Sequence, residues 1–135
     1  MDKVLYASNG SSSVEMAMKL SYETRVLDAE PKRSKFLALN GAYHGETIFT
    51  LGVCGIPAYT KNYAQLITTN YFIDEIVYVD SPQNPQWASA DFDYAKLEQF
   101  FAKHAHEVTA LIIEPIVQGA AGLKIISRDY LTQVI

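Results

Sequence analysis

Val108-Thr109-Ala110-Leu111-Ile112-Ile113 runs almost wholly apolar into Glu114-Pro115. A strand without polar alternation is expected to be covered on both faces, the habit of a parallel sheet. Working outward, Phe36-Leu37-Ala38-Leu39 is a second short strand, ending in the glycine-flanked turn Asn40-Gly41-Ala42-Tyr43-His44-Gly45. Val4-Leu5-Tyr6-Ala7 and Ile76-Val77-Tyr78-Val79 have the same short apolar form. Between them lie helical patterns. From about Ser12 to Leu27, two apolar stripes (Val14, Ala17, Met18, Tyr22 and Met16, Leu20, Leu27) suggest neighbours on more than one side. Asp91 or Asp93 can cap a helix reaching about His106, with Leu97, Phe100, Phe101 and His104 on its apolar face. Glu46 to Val53 suits a short helix, and residues 58 to 72 fit no single pattern. Strands alternating with helices predict an α/β fold on a mostly parallel sheet with flanking helices.

The chain's 135 residues suit one domain, 49% apolar and 19% charged. Both ends are abrupt. Val4 opens a strand with almost no lead-in, and Asp129 to Ile135 reads as the first turns of a helix without a stop signal. The expectation is therefore a single partial domain over residues 1–135, cut at both ends. A net charge of −4 argues against nucleic acid and against an anionic membrane surface. No apolar run approaches the ~20 residues that span a bilayer. Cys54 is the only cysteine, so no disulfide or thiolate metal cluster can form within the chain. No signal peptide is legible at Met1. These features predict a cytoplasmic protein.

Three places carry candidate chemistry. Gly10-Ser11-Ser12-Ser13 lies between a predicted strand and a predicted helix. Small residues there let backbone N–H groups converge at a helix N-terminus, where the dipole favours an anion such as phosphate. A serine cap without a ligand is the plainer alternative. Tyr43 sits in a turn at the C-terminal end of a predicted strand, where open parallel sheets bind ligands. Its ring can stack on a planar heteroaromatic group or simply be buried. His44 has no second histidine or carboxylate at metal-ligand spacing, so no metal is expected. Glu114, at the mouth of a buried strand, needs a basic side chain or a ligand group as partner. Cys54 is expected to be an apolar filler rather than a nucleophile, and His104 and His106 to sit near a helix end.

In this order the three places resemble the class III aminotransferases, enzymes that use pyridoxal 5'-phosphate (PLP). Ser8-Asn9-Gly10-Ser11-Ser12-Ser13-Val14-Glu15 resembles their phosphate cup and helix start. Asn40-Gly41-Ala42-Tyr43-His44-Gly45-Glu46-Thr47 is similar to their Tyr-His-Gly segment. Leu111 to Gly122, with Glu114-Pro115-Ile116-Val117-Gln118-Gly119 at its centre, is similar to their Glu-Pro-x-x-Gln-Gly segment. Within the class, Ile116-Val117-Gln118-Gly119, Val53-Cys54 and His106-Glu107 look most like the diaminopelargonate aminotransferases of biotin synthesis. Those enzymes are implied to move an amino group from S-adenosylmethionine to 8-amino-7-oxononanoate.

The resemblance implies part of the large domain of the fold-type I PLP-dependent transferases, in a homodimer acting on small-molecule substrates. It implies that Gly10 and Ser11 hold the PLP phosphate. Tyr43 would stack on the cofactor ring and border the substrate, Glu46 would stand at the substrate entrance, and Glu114 would lie just behind the residues touching the cofactor. The family's Schiff-base lysine and the acid paired with its pyridine nitrogen come after the Glu-Pro segment, and none of the eight lysines here stands in a matching context. The alternatives are another class III enzyme (ornithine, GABA or omega-amino acid type) or a non-catalytic α/β module that binds a phosphate ligand.

Overall fold

The computed structural model describes residues 3–135. Its framework is a parallel three-stranded sheet in the order β2-β1-β4, with β1 spanning Lys35–Leu39, β2 Tyr71–Ile73 and β4 Val108–Ile112. β1 is central. Leu37 pairs with Tyr71 on one side and with Leu111 on the other. Alternation along β1 builds a core on each face. Leu37 and Leu39 join Ile73, Leu97, Val108, Ile126 and Tyr130. Phe36 and Ala38 join Met18 and Val53. One strand thus ties two helical layers together, the three-layer α/β arrangement predicted from the sequence.

Helix α1 (Gly10–Leu27) covers one face. Its C-terminal half is anchored at the start of β4: Ser21 Oγ and Thr109 Oγ1 lie 2.9 Å apart, and Arg25 Nη2 donates to the Thr109 carbonyl at 3.2 Å. The helix therefore runs against the strand direction, which brings its N-terminus to the strands' C-terminal ends. The short helices α2 (Ile48–Leu51) and α3 (Pro57–Thr60) follow the turn after β1. Helix α4 (Tyr94–His104) covers the other face; the Asp93 carboxylate caps it by accepting from Ala95 N–H at 3.1 Å. A small antiparallel sheet in the order β3-β6-β5 (Tyr78–Val79, Lys124–Ile126, Val117–Gln118) and helix α5 (Arg128–Val134) complete the fold.

Four expectations are corrected. Val4 to Ala7 forms no strand, and Tyr6 is 90% exposed; no described segment pairs with it. Tyr78–Val79 lies in the antiparallel sheet, because it pairs with Ile125 and Ile126 instead of joining β1 and β2. The apolar β4 is an edge strand of the described sheet, with Ala110, Leu111 and Ile112 only half-buried. The strand covered on both faces is β1. The second apolar stripe of α1 is largely uncovered: Met16 is half-buried, Leu20 and Leu27 are exposed, and Met18, of the other stripe, is the one buried residue of the helix.

Candidate functional site

β1 and β4 run parallel with Ala38 beside Ile112, so the segments leaving them, residues 40–47 and 113–119, emerge side by side. The N-terminus of α1 arrives at the same edge. This is where ligands bind in open α/β sheets.

Asn9, rather than a serine, caps α1: its Oδ1 accepts from Ser12 N–H at 2.9 Å, and its carbonyl accepts from Ser13 N–H at 3.0 Å. The amides of Gly10 and Ser11 have no acceptor among the described residues. They face a shallow depression lined by Asn9, Gly10, Ser11, Val14, Tyr43, His44 and Gly45. No acidic side chain occupies the first turn of the helix. A Cβ placed on Gly10 would meet nothing within 4 Å, so the chain's own packing does not require glycine there.

The Tyr-His-Gly turn is locked onto this helix start. Gly45 has φ +124°, and a Cβ on it would lie 2.4 Å from Ser11 Oγ and 2.9 Å from Ser11 Cα. Glu46 N–H donates to Ser11 Oγ at 3.3 Å, leaving the Ser11 proton free to donate elsewhere. The Tyr43 hydroxyl donates to Glu46 Oε1 at 2.8 Å, and that carboxylate holds the phenol above its usual pKa. The exposed Tyr59 ring stands 5.2 Å from Tyr43, tilted by 58°.

Among the described residues no basic side chain pairs with Glu114. Its two oxygens accept from backbone amides instead, Tyr43 N–H and Gly119 N–H, each at 3.0 Å. Amide donors can compensate a half-buried carboxylate without a cation. Gly10, Ser11, Tyr43, Glu46 and Glu114, all singled out in the sequence, thus form one connected patch. Two members were missed. Gln118 is fully buried and stands in the Glu-Pro-x-x-Gln-Gly segment without a role assigned from sequence, and Gly45 stands in the glycine-flanked turn in the same way; the segment's spacing is the available signal for the first. Cys54 is buried, and burial pushes its thiol up, as suits a filler.

His44 is 9% exposed, and its Nε2 has no hydrogen-bond partner. Burial lowers its pKa against the opposing pull of Glu114. A histidine with a lowered folded pKa takes up its proton more readily when unfolded. Its contribution to stability is therefore complete above the ordinary value of about 6.5 and is lost as pH falls below that. The expected result is a stability that declines from pH 7 to pH 5, with a flatter slope in His44→Gln. Equal slopes in denaturant unfolding of the complete protein and its His44→Gln variant would contradict it.

The family model for aminotransferase class III matches residues 1–135. The chain belongs to the class III aminotransferases. An adenosylmethionine-8-amino-7-oxononanoate aminotransferase of Helicobacter pylori is 36% identical over 136 residues, covering 100% of this chain and 29% of that protein. The protein of that name in Staphylococcus aureus is 33% identical over 98% of this chain and 30% of its own length. The chain thus spans less than a third of the curated relatives it matches. An amine transaminase from an uncultivated Pseudomonas species, solved in its PLP-bound form, superposes with a TM-score of 0.78 at 32% identity, over 95% of this chain and 29% of that one. The fold is part of the large domain of the fold-type I PLP-dependent transferases.

Proposed function

We propose that residues 1–135 form part of the PLP-binding large domain of a longer aminotransferase and supply the phosphate end and one ring face of its cofactor site. The observation that carries this is the pair of unpartnered amides at Gly10 and Ser11, opening at a helix N-terminus into a depression walled by Tyr43. The residues fit the group. Free N–H donors and the helix dipole suit a phosphate, the Ser11 hydroxyl has a proton to give, and Tyr43 offers a ring. PLP, when bound, supplies the electron sink for transamination. The chain's own residues bind and orient. Gly10 and Ser11 hold the phosphate, Tyr43 stacks and borders the substrate, and Glu46 stands at the entrance with its carboxylate tied to the Tyr43 hydroxyl. Glu114 steadies the turn from behind through Tyr43 N–H.

The substrates we propose are S-adenosylmethionine as amino donor and 8-amino-7-oxononanoate as acceptor, a step of biotin synthesis. The names and identities of the Helicobacter and Staphylococcus relatives support this. The similarity to an amine transaminase supports a second reading, an omega-type enzyme with a simple amine donor. Turnover of the complete protein on each donor separates them: 7,8-diaminopelargonate formed from S-adenosylmethionine supports the first, and turnover with simple amines alone overturns it. A cytoplasmic homodimer is part of the proposal by resemblance to the family. Among the described residues no helix is long and apolar enough to cross a membrane.

Ser11→Ala in the complete protein is expected to weaken PLP binding. One charge-assisted hydrogen bond is worth about 1.5–3 kcal/mol, or roughly a tenfold to hundredfold change in affinity. Tyr43→Phe keeps the stacking face and most of the affinity, whereas Tyr43→Ala loses it. Absorbance titration with PLP checks all three. Unchanged affinity in Ser11→Ala beside a large loss in Tyr43→Phe would reverse the two roles.

A further inference from the structure

Gln118 is fully buried, yet its side chain is polar at both ends and both ends are used. Its Oε1 accepts from the Tyr78 hydroxyl at 2.5 Å. Its Nε2 donates to the Asn40 carbonyl at 3.0 Å. Four residues earlier, Glu114 accepts from Tyr43 N–H at 3.0 Å. One short segment therefore grips the turn after β1 at two points, the carbonyl of its first residue and the amide of its fourth. Between them lies Gly41 at φ +77°, whose Cβ position is 3.2 Å from Gln118 Oε1. No side chain beyond glycine fits comfortably there, so the turn is shaped around the Gln118 amide. Tyr78 extends the grip into the antiparallel sheet, and burial raises its phenol pKa, so it remains a hydroxyl donor at neutral pH.

From this geometry we infer that Gln118, oriented by Tyr78, is a positioning residue that, together with Glu114, sets the Tyr43 ring over the cofactor. The inference rests on the proposed PLP site. The physical reason is economy of freedom. A glycine-containing turn has wide backbone latitude, and a ring presented by it stays in one place only if both ends of the turn are held. Backbone bonds from Asn40 N–H to Ile73 and between Gly41, Ala42 and Gly55 set the path of the turn, and Glu114 holds it at Tyr43 N–H, but none of these engages the Asn40 carbonyl. Gln118 fixes the other end, and because its amide cannot change charge, the grip is insensitive to pH.

The test uses the complete protein with Gln118→Leu, Tyr78→Phe and the two combined, each read by PLP titration, by visible circular dichroism of the bound cofactor, and by thermal melting. Leucine is close to glutamine in volume but leaves the Tyr78 hydroxyl without its acceptor and the Asn40 carbonyl without its donor. The single variant is expected to melt lower and to bind PLP about tenfold more weakly, with reduced cofactor dichroism. Adding Tyr78→Phe removes the orphaned hydroxyl, so melting should recover in part. Affinity and dichroism should not recover, because the Asn40 carbonyl is still without its donor. Affinity that recovers together with melting, or that never fell, overturns the inference and shows Gln118 to be a core residue only. Parent protein that binds no PLP overturns the proposed function and this inference with it. Parent binding with normal binding in every variant overturns the inference alone.

Discussion

Gly45→Ala should abolish saturable PLP binding by the complete protein at ordinary cofactor concentrations. Two costs coincide at this residue. Its φ of +124° lies where side chains other than hydrogen are strained, worth about 1–3 kcal/mol. The added methyl would also lie 2.9 Å from Ser11 Cα and closer still to the Ser11 side chain. Overpacking of this kind costs about 1–3 kcal/mol. Relief requires the turn and the start of α1 to move apart, and those are the two halves of the proposed phosphate site. A displacement near 1 Å at a positioned group can cost on the order of a hundredfold. Parent-like PLP affinity in Gly45→Ala, with parent-like melting, would show that the contact between turn and helix is not needed.

The 135-residue chain on its own is expected to show no transaminase turnover with S-adenosylmethionine and 8-amino-7-oxononanoate. The class transfers amino groups through a lysine that joins the cofactor covalently and moves the proton, and no lysine here matches that position. The isolated chain is also expected to aggregate. Val4, Leu5, Tyr6, Leu20 and Leu27 are exposed, and β4 presents an open edge. Product formed above a PLP-only control would contradict the first statement, and a cooperative melt of a monomer the second.

Long periodic elements were legible in the sequence. The cores of α1 and α4 are legible to within a few residues because each repeats its apolar spacing over more than one turn, and those of β1 and β4 because each is an almost wholly apolar run of four to six residues. The strands β2, β5 and β6 were not legible. Each is only two or three residues long, too short for a period, and exists because of the strand beside it. Val4 to Ala7 failed for the opposite reason. Its apolar run is strand-like, but pairing is a property of two segments, and no described segment pairs with it. At the site, residue types were legible and contacts were not. Glu114 clearly needed a partner, but backbone amides leave no mark in a sequence, so a cation or ligand was expected instead. Gly45 showed the opposite limit: the glycine was visible, while Ser11, 34 positions earlier, gave no sign that it would fill the missing Cβ's place.

The most direct test of the proposed cofactor site is a structure of the complete protein with PLP bound. The expected result places the phosphate within hydrogen-bond distance of the Gly10 and Ser11 amides and of Ser11 Oγ, with the ring against Tyr43. A phosphate bound away from the start of α1, or a cofactor ring with no contact to Tyr43, would contradict it.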